Sequence, residues 1–203
     1  MLNVKAVLAV GAHPDDLELG CGATLAKLVD AGVYVRALVL SEGLRGGADT
    51  HDRCVETRAA LQRLGVVDIV QAQLPDTQLA SAAPEMIRLL ESQCQAFKPE
   101  RVYTMFREDR HQDHRAVYEA TIIACREVPQ ILSYETPSSW PNFMPVVFET
   151  VEQFMDKKIA ALDCHVSQRA YMQEHQIRCN AQFRGHQVGL GPSEGFIPYK
   201  FIL

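Results

Sequence analysis

Two short stretches carry side chains whose types and spacing could do chemistry: His13-Pro14-Asp15-Asp16 near the start of the chain and His111-Gln112-Asp113-His114 past its middle. The first sets an imidazole and two adjacent carboxylates where an apolar run ends and a helical pattern begins. Asp15 and Asp16 would repel each other in an apolar cleft, so they belong together only around a cation, or if one is kept to move a proton. Zinc hydrolytic sites use a short-spaced ligand pair with a distant third ligand and leave a position for water. His13, Asp16 and His114 fit that pattern. In the second stretch one histidine can bind the metal while the other, oriented by Asp113, faces the substrate. A plainer reading makes Asp16 a helix cap, His13 a turn residue, and His111 and His114 parts of an exposed polar loop. The two stretches gain weight only if the fold brings them together.

The elements that must do so alternate along the chain. β-Branched or apolar runs over 4–10, 33–40, 66–70, 101–106, 131–134 and 146–150 read as strands. Helical spacing covers 17–31, closed by Gly32, then 51–64, closed by Gly65, then 84–97, 115–126, 153–163 and 167–180. Residues 107–114 form a wholly polar loop ahead of the fourth helix, and 135–145, rich in Pro and Ser around Trp140, form a long loop. The tail, 183–203, reads as irregular structure with room for one last strand. Alternation of this kind means a parallel α/β sheet, whose ligand crevice lies outside the carboxyl ends of the strands. His13, Asp15 and Asp16 follow the first strand, Arg45 the second, Asp76 the third, His111 to His114 the fourth and Glu135 the fifth. All of them fall on one edge. Arg45, in the glycine-rich loop 41–47, could hold a sugar hydroxyl or phosphate or could simply be solvated. Trp140 reads as a loop anchor or a sugar-stacking platform. His165, Ser167 and Gln168 read as joining and capping two helices, and His51, His175 and His186 as surface or satisfied histidines.

Composition narrows the classes. The 203 residues make one domain, 1–203, with a formal net charge of −5 and scattered basic residues, so no nucleic-acid partner is expected. No apolar run approaches the roughly 20 residues of a membrane span, and the first ten residues lack the pattern of a signal peptide. A cytoplasmic protein with no membrane partner is expected. The six cysteines show no C-x-x-C pair and read as buried, reduced thiols. Nothing in the pattern fixes the oligomeric state, whether monomer or homo-oligomer.

The segment from Ala12 to Ala23, His-Pro-Asp-Asp-Leu-Glu-Leu-Gly-Cys-Gly at its centre, and His111-Gln112-Asp113-His114 resemble the paired motifs of the PIG-L/LmbE family of zinc-dependent N-acetylglucosamine deacetylases. Weaker echoes are Arg53-x-x-Glu56, Lys158 to His165-x-Ser167-Gln168, and Glu194-Gly195-Phe196. The resemblance implies a Rossmann-like three-layer α/β/α fold with a mostly parallel sheet. It implies one Zn2+ per chain, or another divalent metal, on His13, Asp16 and His114. It further implies Asp15 as general base, and His111 as the group that stabilises the oxyanion or protonates the amine. The substrate would be a small N-acetylated amino sugar or its conjugate. Three rivals are a nucleotide-binding module, a non-haem iron oxygenase using His13, Asp15 and His114, and a catalytically silent carbohydrate-binding protein of the same fold. The first is disfavoured because Gly20-Cys21-Gly22 does not complete a dinucleotide fingerprint. The second usually sits on a β jelly roll, and intact Asp15 and His111 argue against the third.

Overall fold

The computed structural model describes residues 4–46, 52–171 and 173–202, so His51 and Gly47 lie outside the described residues. Seven strands, β1 (Ala6–Gly11), β2 (Tyr34–Val39), β3 (Asp68–Gln71), β4 (Arg101–Thr104), β5 (Gln130–Tyr134), β6 (Val147–Thr150) and β7 (Ser193–Phe201), form one sheet in the order β3-β2-β1-β4-β5-β7-β6. The first five run parallel, and β7 inserts antiparallel between β5 and β6. Val7 to Val10 of central β1 are fully buried, as expected of a strand covered by helices on both faces. The helices are α1 (Asp16–Asp30), α2 (Arg53–Leu64), α3 (Ala83–Phe97), α4 (Gln112–Ala124), α5 (Met155–Leu162) and α6 (Glu174–His186). α1, α2 and α5 pack on one another, and α3 packs on α4, giving helical layers on a mostly parallel sheet. No helix among the described residues is long and apolar enough to cross a membrane.

The chain leaves β1 for β2 on one side and returns to β4 on the other, so the order of strands reverses between β1 and β4. Ligands of open α/β sheets bind at such a switch point, and the two chemistry-bearing stretches follow these two strands. Several expectations change. α4 starts at Gln112, three residues earlier than the spacing predicts, which puts His114 in its first turn. The helix predicted over 167–180 is a 3₁₀ segment, Val166–Tyr171, followed by α6, while the room left for a last strand in the tail is taken by the nine-residue β7. Ser167 does not cap a helix: its N–H and hydroxyl donate to the Glu56 carboxylate of α2 (2.9 and 2.6 Å). His175 and His186 are exposed as expected. All six cysteines are free, but only Cys21 and Cys125 are buried; Cys179 is exposed.

α1 is broken at Cys21, whose φ of −142° and ψ of 16° are not helical. The break frees backbone groups that a buried helix must satisfy elsewhere. Glu194 of β7 accepts the N–H groups of Ala23 and Thr24 (3.2 and 2.7 Å), while the Lys158 ammonium of α5 donates to the Leu19 carbonyl (2.7 Å) and to Glu194 (2.6 Å). At the same bend a Cβ on Gly20 would fall 2.0 Å from the Tyr134 ring, whose hydroxyl donates to the Val10 carbonyl (2.8 Å). Glu194→Ala strands a buried ammonium and two N–H groups and should lower stability by about 3–5 kcal/mol in urea unfolding. Lys158→Met leaves the carboxylate bonded to both N–H groups and should lose less; equal losses would show that the carboxylate does no capping.

Candidate active site

The turn after β1 is built by Asp16. Its Oδ2 accepts the N–H groups of Ala12 and His13 (3.0 and 2.7 Å), so the carboxylate closes the strand end and does not cap α1. Asp15, the residue before α1, caps nothing with its side chain and adopts φ 93°, a left-handed backbone that costs a non-glycine residue about 1–3 kcal/mol. Arg53 of α2 braces this conformation. Its buried guanidinium donates to the carbonyls of Gly43 and Pro14 (2.7 and 3.0 Å) and to the Asp15 carboxylate (3.2 Å).

The histidines are pinned from outside the centre. His13 Nε2 lies 3.1 Å from Asp113 Oδ2 and 3.3 Å from Asp76 Oδ1, while His13 Nδ1 faces Asp16 Oδ2 at 3.5 Å. His114 Nδ1 lies 3.2 Å from both Asp109 Oδ2 and Ser138 Oγ, while His114 Nε2 faces Asp16 Oδ1 at 3.3 Å. With protons held outward at His13 Nε2 and His114 Nδ1 by carboxylates, the inward nitrogens are left as donors to a cation beside Asp16, the usual outer support of metal-bound imidazoles. His111 is the N-cap of α4. Its Nδ1 accepts the Asp113 N–H (3.2 Å), so its ring proton belongs on Nε2. Ring nitrogens of His13, His111 and His114 lie within 4.8 Å of one another. A second group of the same spacing, His13 with Asp76 and Asp113, is less suited to a metal, since both carboxylates already accept from His13 and from the N–H groups of Arg45 and Leu79 (2.7 and 3.1 Å).

Proton affinities follow from these contacts. Burial opposes charge on His13, yet Asp113, Asp16 and Asp76 override it and push its pKa up to about 12. His114 is raised to about 9 in the same way, with Asp16 and Asp109 outweighing burial. Asp16 is held low because the two histidines outweigh its burial. Burial, together with the charge of Asp16, raises Asp15 to about 7 against the pull of His165 and Arg53. Burial and the adjacent His114 and His13 push His111 down, in keeping with a neutral ring. Two buried imidazolium rings with centroids 5.4 Å apart make an awkward resting state. A divalent cation replaces both inward protons and satisfies Asp16, so the donor set fits a metal.

His13, Asp15, Asp16, His111 and His114 all line one cleft of about 310 Å³, with Arg45, Gly46 and Gln168 at its rim. Asp113 joins the cluster by a different contact from the one expected, since its carboxylate orients His13 and only its backbone N–H touches His111. Arg45 is exposed and its guanidinium donates to Thr77 Oγ1 (3.3 Å). Glu135 turns away to pair with Arg184 (2.5 Å) in a neighbouring cavity that meets the cleft at Leu19, Thr136 and Pro137. Sequence reasoning missed Asp109 and the task of Arg53. Asp109, wholly buried, accepts the His111 N–H and the Thr136 hydroxyl (both 2.8 Å) besides facing His114. No spacing rule singles it out within a loop that is polar throughout. Asp109→Asn should weaken metal retention by about 10–100-fold, read by competition with a chelator on protein whose unfolding midpoint is checked alongside; unchanged retention would mean that Asp109 only braces the loop.

The family model described as PIG-L: GlcNAc-PI de-N-acetylase matches residues 8–125. The "Uncharacterized deacetylase YaiS" of Escherichia coli is 48% identical over 169 residues, covering 80% of this chain and 91% of that protein. A "Probable N-acetyl-alpha-D-glucosaminyl L-malate deacetylase 2" of Bacillus cereus is 27% identical over 190 residues, 84% of this chain and 86% of that one. Among solved structures, GalB, the 4-carboxy-2-hydroxymuconate hydratase of Pseudomonas putida, superposes with a TM-score of 0.86 over 98% of both chains at 20% identity, a likeness of fold alone. With its motifs on the switch point of the sheet and the family model spanning more than half its length, the chain belongs to the PIG-L family.

Proposed function

We propose that this protein hydrolyses the N-acetyl amide of an N-acetylglucosamine-type amino sugar, free or conjugated, to the amine and acetate. The observation that carries the reading is the convergence of His13 Nδ1, His114 Nε2 and Asp16 beside a separate, half-buried carboxylate, Asp15. The deacetylase relatives support the reaction class, and the amino-sugar relative supports the substrate class. The fold does not, since GalB shares it.

His13, Asp16 and His114 would hold one divalent cation, and two nitrogens with one carboxylate suit zinc. When bound, the cation supplies Lewis-acid polarisation and makes water a nucleophile at neutral pH. The chain's own groups do the rest. Asp15, with a pKa near 7, accepts a proton from the attacking water and can return it to the leaving nitrogen. His111 presents its Nε2–H to the oxyanion as a neutral donor. Asp113 acts as a positioning residue through His13, and Arg45 binds a substrate hydroxyl or acidic substituent at the rim. The adjoining cavity leaves room for the rest of a conjugate.

The decisive assay is acetate release by the metal-loaded protein from a panel of N-acetylated amino sugars; no release from any member would overturn the proposal. The purified protein should carry about one zinc or similar ion per chain by elemental analysis. Asp15→Asn should cut acetate release by roughly 10²- to 10⁴-fold while keeping its metal, and Asp16→Asn should lose metal. The reverse pattern would mean the two roles are swapped and would favour the oxygenase-like ligand set. Arg45→Ala should mainly raise KM, and unchanged kinetics on every accepted substrate would reduce Arg45 to a solvated side chain.

A further inference from the structure

At the end of α4 far from the site, where α4 packs on α3, lies a feature the proposed chemistry does not use. Cys94, near the end of α3, and Cys125, the residue that closes α4, bring their sulfurs to 3.2 Å. Cys125 is buried and Cys94 is half-buried, and both line a cavity of about 310 Å³ together with Lys98 and Arg126. A thirteen-residue helix separates this cavity from His111, a distance of about 20 Å at the helical rise per residue. We propose that Cys94 and Cys125 form a reversible oxidation site in which a peroxide or a low-molecular-weight disulfide, entering by this cavity, closes a Cys94–Cys125 disulfide between α3 and α4.

Three features support it. The thiols already touch, and a bond length of about 2.05 Å is reached by a relative shift of about 1 Å. Cys125 stands outside regular helix, at φ −95° and ψ 21°, where the backbone can yield. The Cys125 thiol also holds Cys94 below its ordinary pKa despite partial burial, and burial with that same contact pushes Cys125 up, so one sulfur is the attacking thiolate and the other the resolving thiol. With peroxide, the Cys94 thiolate attacks one oxygen and becomes the sulfenic acid as hydroxide leaves and takes up a proton to give water. The Cys125 sulfur then displaces the sulfenic oxygen as a second water. Two thiols lose two electrons and two protons in all, and the peroxide is reduced to two waters. With a small disulfide, Cys94 forms the mixed disulfide and Cys125 expels the small thiol. A thiol reductant reverses either product.

The test uses the reduced full-length protein, desalted and exposed to stoichiometric up to about ten-fold hydrogen peroxide. The expected result is a mass loss of two hydrogens, a non-reduced peptide linking Cys94 to Cys125, alkylatable thiols at the other four cysteines, and recovery of all six on adding dithiothreitol. The cross-linked protein should melt several degrees higher, because the bond closes a loop through both helices. Cys125→Ser should leave a sulfenic acid on Cys94, trapped as a dimedone adduct, and Cys94→Ser should leave Cys125 unmodified. Over-oxidation of Cys94 without a cross-link, or cross-linking of two chains through exposed Cys179 instead, would overturn the proposal.

Discussion

A buried surplus of negative charge governs this structure. Asp15, Asp16, Asp76, Asp109 and Asp113 crowd around three imidazoles at the switch point between β1 and β4, and carboxylates this close stay ionised only if cations or N–H donors meet them. Every contact in the cluster answers that requirement. Arg53 faces Asp15, the N–H groups of Ala12 and His13 face Asp16, the Arg45 N–H faces Asp76, and the Leu79 N–H faces Asp113. The loops after β1, β2, β3 and β4 are thereby tied to one another by the same groups that shape the cleft. What they leave at the centre is a place for one more positive charge, bounded by Asp16 and by the inward nitrogens of His13 and His114.

The fold's parallel half was legible in the sequence because its signals are local. Buried strands read as continuous apolar runs, and Gly65 ends α2 at a φ of 90° that other residues avoid. At the antiparallel end β6 was legible as the run 146–150, but β7 was readable only as room for a last strand, since it carries Gly195 and Pro198 and its sequence lacks a clear alternation. Its place between β5 and β6 depends on long-range pairing. The α4 boundary was misread for a related reason: a histidine N-cap whose ring accepts its own helix's N–H has no standing among the usual capping residues.

The site was legible to the extent that its residues sit in short, dense motifs. His13, Asp15, Asp16, His111 and His114 come together as spacing and strand order imply. The partners that orient them are isolated residues from other segments, and no local pattern marks them. Asp109 is one acid among the charged residues of its loop, Arg53 reaches the cleft from the first turn of α2, and Asp113 sits in the right motif while serving the other motif's histidine. Which residues converge on the cleft is thus readable from spacing, whereas how each is oriented is a tertiary property.

The proton affinity of Asp15 shows why the chain beyond the two motifs matters. Burial and the neighbouring Asp16 raise it; Arg53 and His165 lower it, and the balance falls near neutrality. His165 comes from the turn after α5 and is wholly buried, with its Nε2 3.3 Å from Glu18 one turn along α1. Glu18 raises the proton affinity of this imidazole against its burial, and the imidazole in turn lowers that of Asp15. Lys158, on the helix just before it, and Glu194, on the last strand, hold the break in α1 that lets the helix bend behind the cleft. The residues past 125 therefore supply both part of the charge that tempers Asp15 and the brace that fixes the helix behind it. A carboxylate poised near pH 7 here is a product of the whole sheet and its covering helices, and the His-Pro-Asp-Asp turn alone could not produce it.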